Sequence, residues 1–291
     1  MVAPACLLGI DWGTSNRRAY LLDASGNCLR KHEDAEGALA VRGRFPAALD
    51  ALRRQLDIDA LVPVVMSGMV GSAQGWQEVA YLDSSVPLTR LPETLVPVDG
   101  AAGCFIVPGY CYCHAGSVDV MRGEETQLLG AHALGCGDGW YVMPGTHSKW
   151  VELADGVIRR FSTYITGELF AALRAGGTLA PLMVEGDDDA VALNAGAQRA
   201  RDAGALTHTL FEARARVVTG QASAAQTRSY VSGLLIGTEF AAEPVPAVRL
   251  LASAALSSPY QEVARLLGVA TELIDPDRAY CAALARFMEA V

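Results

Sequence analysis

Apolar and polar positions alternate along this chain in blocks that occur twice. An apolar run at 7–12, interrupted by Asp11, leads into Gly13-Thr14-Ser15. A second run at 19–22 and a turn at Ser25-Gly26-Asn27 then precede a third run at 28–32. The pattern predicts three strands in a meander whose first tight turn carries hydroxyls. The same order returns at 140–161, with Gly145-Thr146-His147-Ser148 as the first turn and Asp155-Gly156 as the second. Between the copies, Leu49, Leu52 and Leu56 form a helical stripe over 45–56. Residues 61–66, with Val62, Val64 and Val65, read as a buried parallel strand. That strand ends in Ser67-Gly68-Met69-Val70-Gly71-Ser72, at the carboxyl end where open α/β sheets place ligands. A strand follows at 105–107, and a helix is predicted over 119–134 from Met121, Leu128 and Leu129.

After the glycine-rich linker 135–139 and the second meander, helices are expected at 168–174, 187–216 with polar interruptions, and 230–242. The triple Asp187-Asp188-Asp189 fits a helix N-terminus better than a metal site. A strand end at 250–251, a helix at 257–267 and a last helix at 277–290 complete the chain. The repeat divides 291 residues into 1–134 and 139–275, with 276–291 as a helix that packs back on the first domain.

Composition narrows the function classes. Hydrophobic residues at 51% and charged residues at 19% supply a large core. A net charge of −9 with basic residues in ones and twos excludes a clustered nucleic-acid face. No apolar run approaches the ~20 residues of a membrane span, and a signal-peptide n-region is missing. Seven dispersed cysteines fit a reduced, cytoplasmic protein with buried thiols, and Cys111-Tyr112-Cys113 is poorly spaced for zinc. Nothing selects between monomer and homodimer.

The two Gly-Thr turns place backbone N–H groups and hydroxyls together, which suits phosphate. Asp11, at a strand exit before one of them, either holds Mg²⁺ through waters or fixes its own turn.

Asp11-Trp12-Gly13-Thr14 resembles the first phosphate motif of the sugar kinase, actin and heat-shock ATPase superfamily, and Gly145-Thr146-His147-Ser148 resembles the second. Gly123-Glu124-Glu125-Thr126-Gln127 is similar to the segment of glycerol kinase-like enzymes that carries the catalytic acid. Together with Gly68-Met69-Val70-Gly71-Ser72, Gly75-Trp76 and Pro144 to Trp150, these segments resemble the 2-dehydro-3-deoxygalactonokinase family across nearly the whole chain. The resemblance implies two ribonuclease H-like α/β domains, each a mixed sheet opening with a meander, with a cleft between them. It also implies ATP and Mg²⁺, and phosphoryl transfer to a six-carbon 2-keto-3-deoxy sugar acid. Alternatives in the same fold are a kinase for another sugar acid or polyol, and a non-catalytic nucleotide- and sugar-binding regulator.

On that basis Gly13, Thr14, Ser15, Gly145, Thr146, His147, Ser148, Ala252 and Ser253 would hold the nucleotide, with Asp11 on the metal. Trp12, Ser72, Gln74, Trp76, Arg122 and Lys149 would meet the sugar acid. Arg122 pairs with its carboxylate or caps Glu124 or Glu125, and Lys149 offsets charge or is a solvated strand lysine. The base is Glu124, with Asp119 as the alternative if it is not merely a helix cap. Ala73 replaces a long polar residue usual in the family, and Ala252 replaces a glycine of the nucleotide-side turn.

Overall fold

The structure, a computed structural model, describes residues 5–114, 116–202 and 204–291, which divide into two compact units. The first takes the chain up to Asp138, residues 152–161 and residues 275–291; the second takes 139–151 and 162–274.

In the first unit β1 (Ala5–Trp12), β2 (Arg17–Asp23) and β3 (Cys28–Asp34) form an antiparallel meander. After α1 (Phe45–Leu56), β4 (Val64–Gly68) joins β1 in parallel. β5 (Leu82–Asp83), β6 (Val96–Pro97) and β7 (Cys104–Ile106) follow, giving the sheet order β3-β2-β1-β4-β7-β6. β1 lies between two strands, so its middle is buried on both faces and its sequence is continuously apolar. α1 covers one face with Phe45, Leu49, Leu52 and Leu56, against Ile10, Trp12 and Met66 in one core cluster.

Residues 119–134 do not form the single helix expected. β8 (Tyr110–His114) and β9 (Ser117–Met121) make a hairpin, with Asp119 opposite Tyr112, and α2 (Glu124–Ala133) starts only after it. The Val118-Asp119-Val120-Met121 alternation carries a strand period, and Gly123 at φ 111° breaks the path before the helix. Cys111 and Cys113 also lie on β8, half-buried and exposed rather than buried.

In the second unit β10 (Gly139–Met143), β11 (Ser148–Ala154) and β12 (Val157–Tyr164) precede α3 (Thr166–Ala175). Then come α4 (Ala190–Arg201), α5 (Leu206–Val218), α6 (Ala224–Ala242), β13 (Ala247–Leu251), α7 (Ala254–Leu267) and β14 (Ala270–Ile274). The sheet order is β12-β11-β10-β13-β14, the same sequence of positions as β3-β2-β1-β4-β7 in the first unit. The stretch 187–216 thus resolves into two helices, with Asp189 capping α4 by accepting the Ala192 N–H. The glycines of α6 have a packing reason: a Cβ on Gly233 would lie 1.9 Å from the Leu193 carbonyl oxygen of α4.

α8 (Pro276–Phe287) packs on α2, β1 and β2 of the first unit. A Cβ on Gly130 of α2 would stand 1.7 Å from the Ala279 carbonyl oxygen, so only glycine permits this approach. Among the described residues no helix is long and apolar enough to cross a membrane.

Candidate active site

β1 and β4 run parallel in a register that sets Asp11 beside Ser67 and Trp12 beside Gly68. Gly68 (φ 88°) and Gly123 (φ 111°) meet beneath Asp11, a Cβ on Gly123 falling 3.2 Å from the Gly68 Cα. These two positive-φ glycines bring the amino end of α2 to the carboxyl ends of the central strands. Asp11 is 18% exposed, and its Oδ2 accepts from Arg18 Nη1 at 3.3 Å. Burial raises the Asp11 pKa to about 6; Arg18 opposes the shift and Glu124 adds to it. Glu124, the first residue of α2, accepts the Arg122 N–H through Oε2 at 3.1 Å. Glu125 is fully buried, and both its oxygens accept the Gly123 N–H, at 2.9 and 2.7 Å. Burial and the neighbouring Glu124 raise its pKa to about 8. A polar layer lies nearby, with Ser67 Oγ and Tyr280 OH 2.8 Å apart and the buried Tyr110 OH without a protein partner.

Arg122 stacks its guanidinium over Tyr81 at 4.3 Å and donates from Nη2 to the Val79 carbonyl at 2.6 Å. Its buried Nε and Nη1 find no protein acceptor, so it does not cap Glu124 or Glu125 through its side chain. Gly71 leaves room for it, since a Cβ there would lie 2.7 Å from Nη1. Ser72 closes its own turn by donating to the Met69 carbonyl at 2.8 Å, and Gln74 is exposed. Trp76 is half-buried and stacks on Phe45 at 6.2 Å.

Two expected positions change. Trp12 is completely buried, with Nε1 donating to the Glu36 carbonyl at 2.8 Å and the ring against Phe45, so it is core rather than a sugar platform. Asp119 is on β9 and accepts the Val120 N–H; it caps no helix and is not among the charged groups that shift Asp11. In the first phosphate-like turn, Gly13 and Thr14 give their carbonyls to the Ala38 and Leu39 N–H groups, while Ser15 is exposed.

In the second unit, Thr146 and His147 are exposed at the tip between β10 and β11. The turn is held to α3: Glu168 N–H donates to the Thr146 carbonyl at 2.9 Å, and the Glu168 carboxylate lies 2.7 Å from His147 Nε2. Gly167 is pressed on the Gly145 carbonyl, 2.3 Å from where its Cβ would be. Ser148 is fully buried and donates to Glu239 at 2.8 Å, which commits its hydroxyl inward rather than to a phosphate. Lys149 is 5% exposed and donates to Thr163 Oγ1 at 2.7 Å, so it is no solvated strand lysine. A cavity of about 440 Å³ opens beside the turn, with Gly145, Thr166 and Gly167 on one wall and Asp189, Ser229 and Glu262 among the rest. Ala252 and Ser253 stand outside this lining, which takes Ala255, Leu256 and Pro259 from α7 instead. Sequence reasoning missed Glu239, although an acid in the apolar run Leu234 to Phe240 is a signal of a buried, partnered carboxylate.

A sheet order used twice, each time with a Gly-Thr turn after its first strand, is the two-domain α/β arrangement expected of a sugar kinase or actin-like ATPase. The activator of 2-hydroxyisocaproyl-CoA dehydratase from Clostridium difficile, solved with ADPNP, shares that fold at 12% identity and a TM-score of 0.51, over 98% of this chain and 95% of its own. Residues 11–287 match the family 2-keto-3-deoxy-galactonokinase, so the chain belongs to that family and is a kinase. It is 35% identical to the 2-dehydro-3-deoxygalactonokinase of Escherichia coli K12, over 98% of both chains. A crystal structure assigned to a 2-dehydro-3-deoxygalactonokinase of Sinorhizobium meliloti superposes with a TM-score of 0.91 at 35% identity, over 98% of this chain and 96% of its own.

Proposed function

We propose that this kinase transfers the γ-phosphoryl group of ATP to the terminal hydroxyl of 2-dehydro-3-deoxy-D-galactonate. The products are the 6-phosphate and ADP, formed in the cytoplasm during galactonate catabolism. The observation that carries this reading is the convergence of Asp11, Glu124 and the amino end of α2 over Gly68 and Gly123. Helix amino ends and parallel-strand carboxyl ends favour anionic ligands, and the reaction needs mainly positioning and charge stabilisation. Glu124 takes the proton as the hydroxyl oxygen attacks, which calls for a carboxylate within hydrogen-bond reach. Arg122 supplies positive charge and donors without protein partners to the substrate carboxylate. The cavity beside Gly145 and Thr166 takes the nucleotide, as the Gly145-Thr146-His147 turn supports.

Among the described residues no three acid, His or Cys side chains converge as a cation cage. Mg²⁺ keeps several waters and uses one or two carboxylates with substrate phosphates. Asp11 would hold it, and when bound it neutralises charge on the phosphates. The test is a coupled ADP-release assay with MgATP across keto-deoxy sugar acids. Turnover is expected with 2-dehydro-3-deoxy-galactonate; turnover with another sugar acid alone overturns the substrate and spares the chemistry.

A further inference from the structure

The buried carboxylate of Glu239 gathers four donors from three other elements. It is 1% exposed on α6. Its Oε2 accepts from Ser148 Oγ at 2.8 Å and from Trp150 Nε1 at 2.7 Å, both on β11. Its Oε1 accepts from Tyr260 OH of α7 at 2.6 Å and from Thr166 Oγ1, the first residue of α3. Tyr260 OH is also 3.2 Å from Ser148 Oγ, closing the network.

Three of the four tethered residues adjoin the cavity or the turn at its edge. Ser148 directly follows Gly145-Thr146-His147, and Thr166 and Tyr260 line the cavity themselves. The amino end of α3 is further fixed to the turn through the Glu168 N–H and the close Gly167–Gly145 approach. A buried acid with so many donors costs desolvation that only a complete set of hydrogen bonds offsets. Four donors answer that requirement, and they also fix how far the turn, α3 and α7 stand from one another. Glu239 has no place on the cavity lining, so it acts through its partners.

We propose that Glu239 is a positioning residue for the nucleotide: it holds the Gly145-Thr146-His147 turn, the amino end of α3 and Tyr260 in the geometry that grips the phosphate end of ATP. This rests on the cavity being the nucleotide site. Gln at 239 is predicted to work, because its carbonyl oxygen can take the Ser148 and Trp150 donors while its NH₂ faces two hydroxyls that can accept. Trp150 Nε1 cannot accept, so the amide has one permitted orientation. Glu239→Ala removes the shared acceptor of all four donors and leaves Trp150 Nε1 buried without its partner.

The experiment measures MgADP affinity by calorimetry, with steady-state constants for MgATP and the sugar acid, in the full chain and in Glu239→Gln, Glu239→Ala and Thr166→Val. Misplaced contacts in a preorganised site cost on the order of 10-fold or more, so Glu239→Ala should weaken MgADP by at least ~10-fold. Glu239→Gln should stay within about 3-fold of the unaltered chain, since its hydrogen bonds survive. The KM for the sugar acid should hold in both. Thr166→Val removes the α3 tether together with one hydroxyl of the cavity wall, and it keeps the test alive if Glu239→Ala does not fold; several-fold weaker MgADP is expected. Unchanged MgADP affinity in Thr166→Val, or equal shifts in both substrate constants in Glu239→Ala, overturns the positioning role alone. No MgADP binding by the unaltered chain overturns the nucleotide reading and this proposal with it.

Discussion

Two neighbouring acids at the start of α2 face different surroundings, and that difference assigns their chemistry. Glu124 shares an electrostatic field with Asp11, whereas Glu125 turns both oxygens to the Gly123 N–H in a fully buried site. Glu124→Gln should therefore lower kcat by at least ~100-fold while MgATP still binds, the scale of a lost general base. Asp119→Asn should keep most activity, because Asp119 sits on the β8–β9 hairpin and is not among the groups that perturb Asp11. If Asp119→Asn abolishes turnover in a folded chain while Glu124→Gln does not, the base is misassigned. Arg122 gives a second, separable signal. Charge-assisted hydrogen bonds contribute about 1.5–3 kcal/mol, so Arg122→Ala should raise the sugar-acid KM by roughly 10- to 100-fold. The KM for MgATP should move little; a matched rise in both would show Arg122 supporting the fold rather than the carboxylate.

The elements most legible in the sequence are those whose period is uninterrupted. The stripe at Leu49, Leu52 and Leu56 marks α1 to its observed ends, and the apolar runs around the Gly-Thr turns mark the strands of both sheets. Where a strand period runs directly into a helix, as at Asp119 to Glu124, the two merge in sequence, and only the positive φ of Gly123 separates them. β14 is short and mostly exposed, with Glu272 within it, so its period is weak. At the proposed site, Asp11, Glu124 and Arg122 are conspicuous in the sequence because charges beside glycine turns stand out. Trp12 and Ser148 misled because burial is a tertiary property: the same Trp or Ser can face a ligand or a core. Glycine roles are also tertiary, and Gly130 tests this at the scale of helix packing. Its Cβ would meet the Ala279 backbone, which cannot move aside as a side-chain tip can. Gly130→Ala should destabilise the chain by about 1–3 kcal/mol through overpacking, despite alanine's better helix propensity. Denaturant unfolding reads this directly, and a stabilised Gly130→Ala would refute the α2–α8 approach.

Across the whole molecule, stability should carry the imprint of its raised carboxyl groups. Folded Glu125 keeps its proton up to about pH 8, whereas the unfolded residue releases it near 4.5. The folded state therefore binds more protons between those values, and stability must fall as pH rises through the window. The contribution is complete below about pH 4.5 and is lost as pH passes 8. Asp11 acts with the same sign, but its window runs from 3.8 to about 6. The interval from about pH 6.5 to 8 thus separates Glu125 from Asp11. Glu125→Gln removes the titration and retains an oxygen for the Gly123 N–H, so the site keeps its shape. Unfolding free energies of the full chain should decline with pH across that interval more steeply than those of Glu125→Gln. The variant should gain on the unaltered chain as pH rises, with the largest advantage at pH 8 and above. Parallel curves for the two proteins from pH 6.5 to 8 would mean that Glu125 is already ionised in the fold, and would remove the case for a neutral acid beneath the amino end of α2.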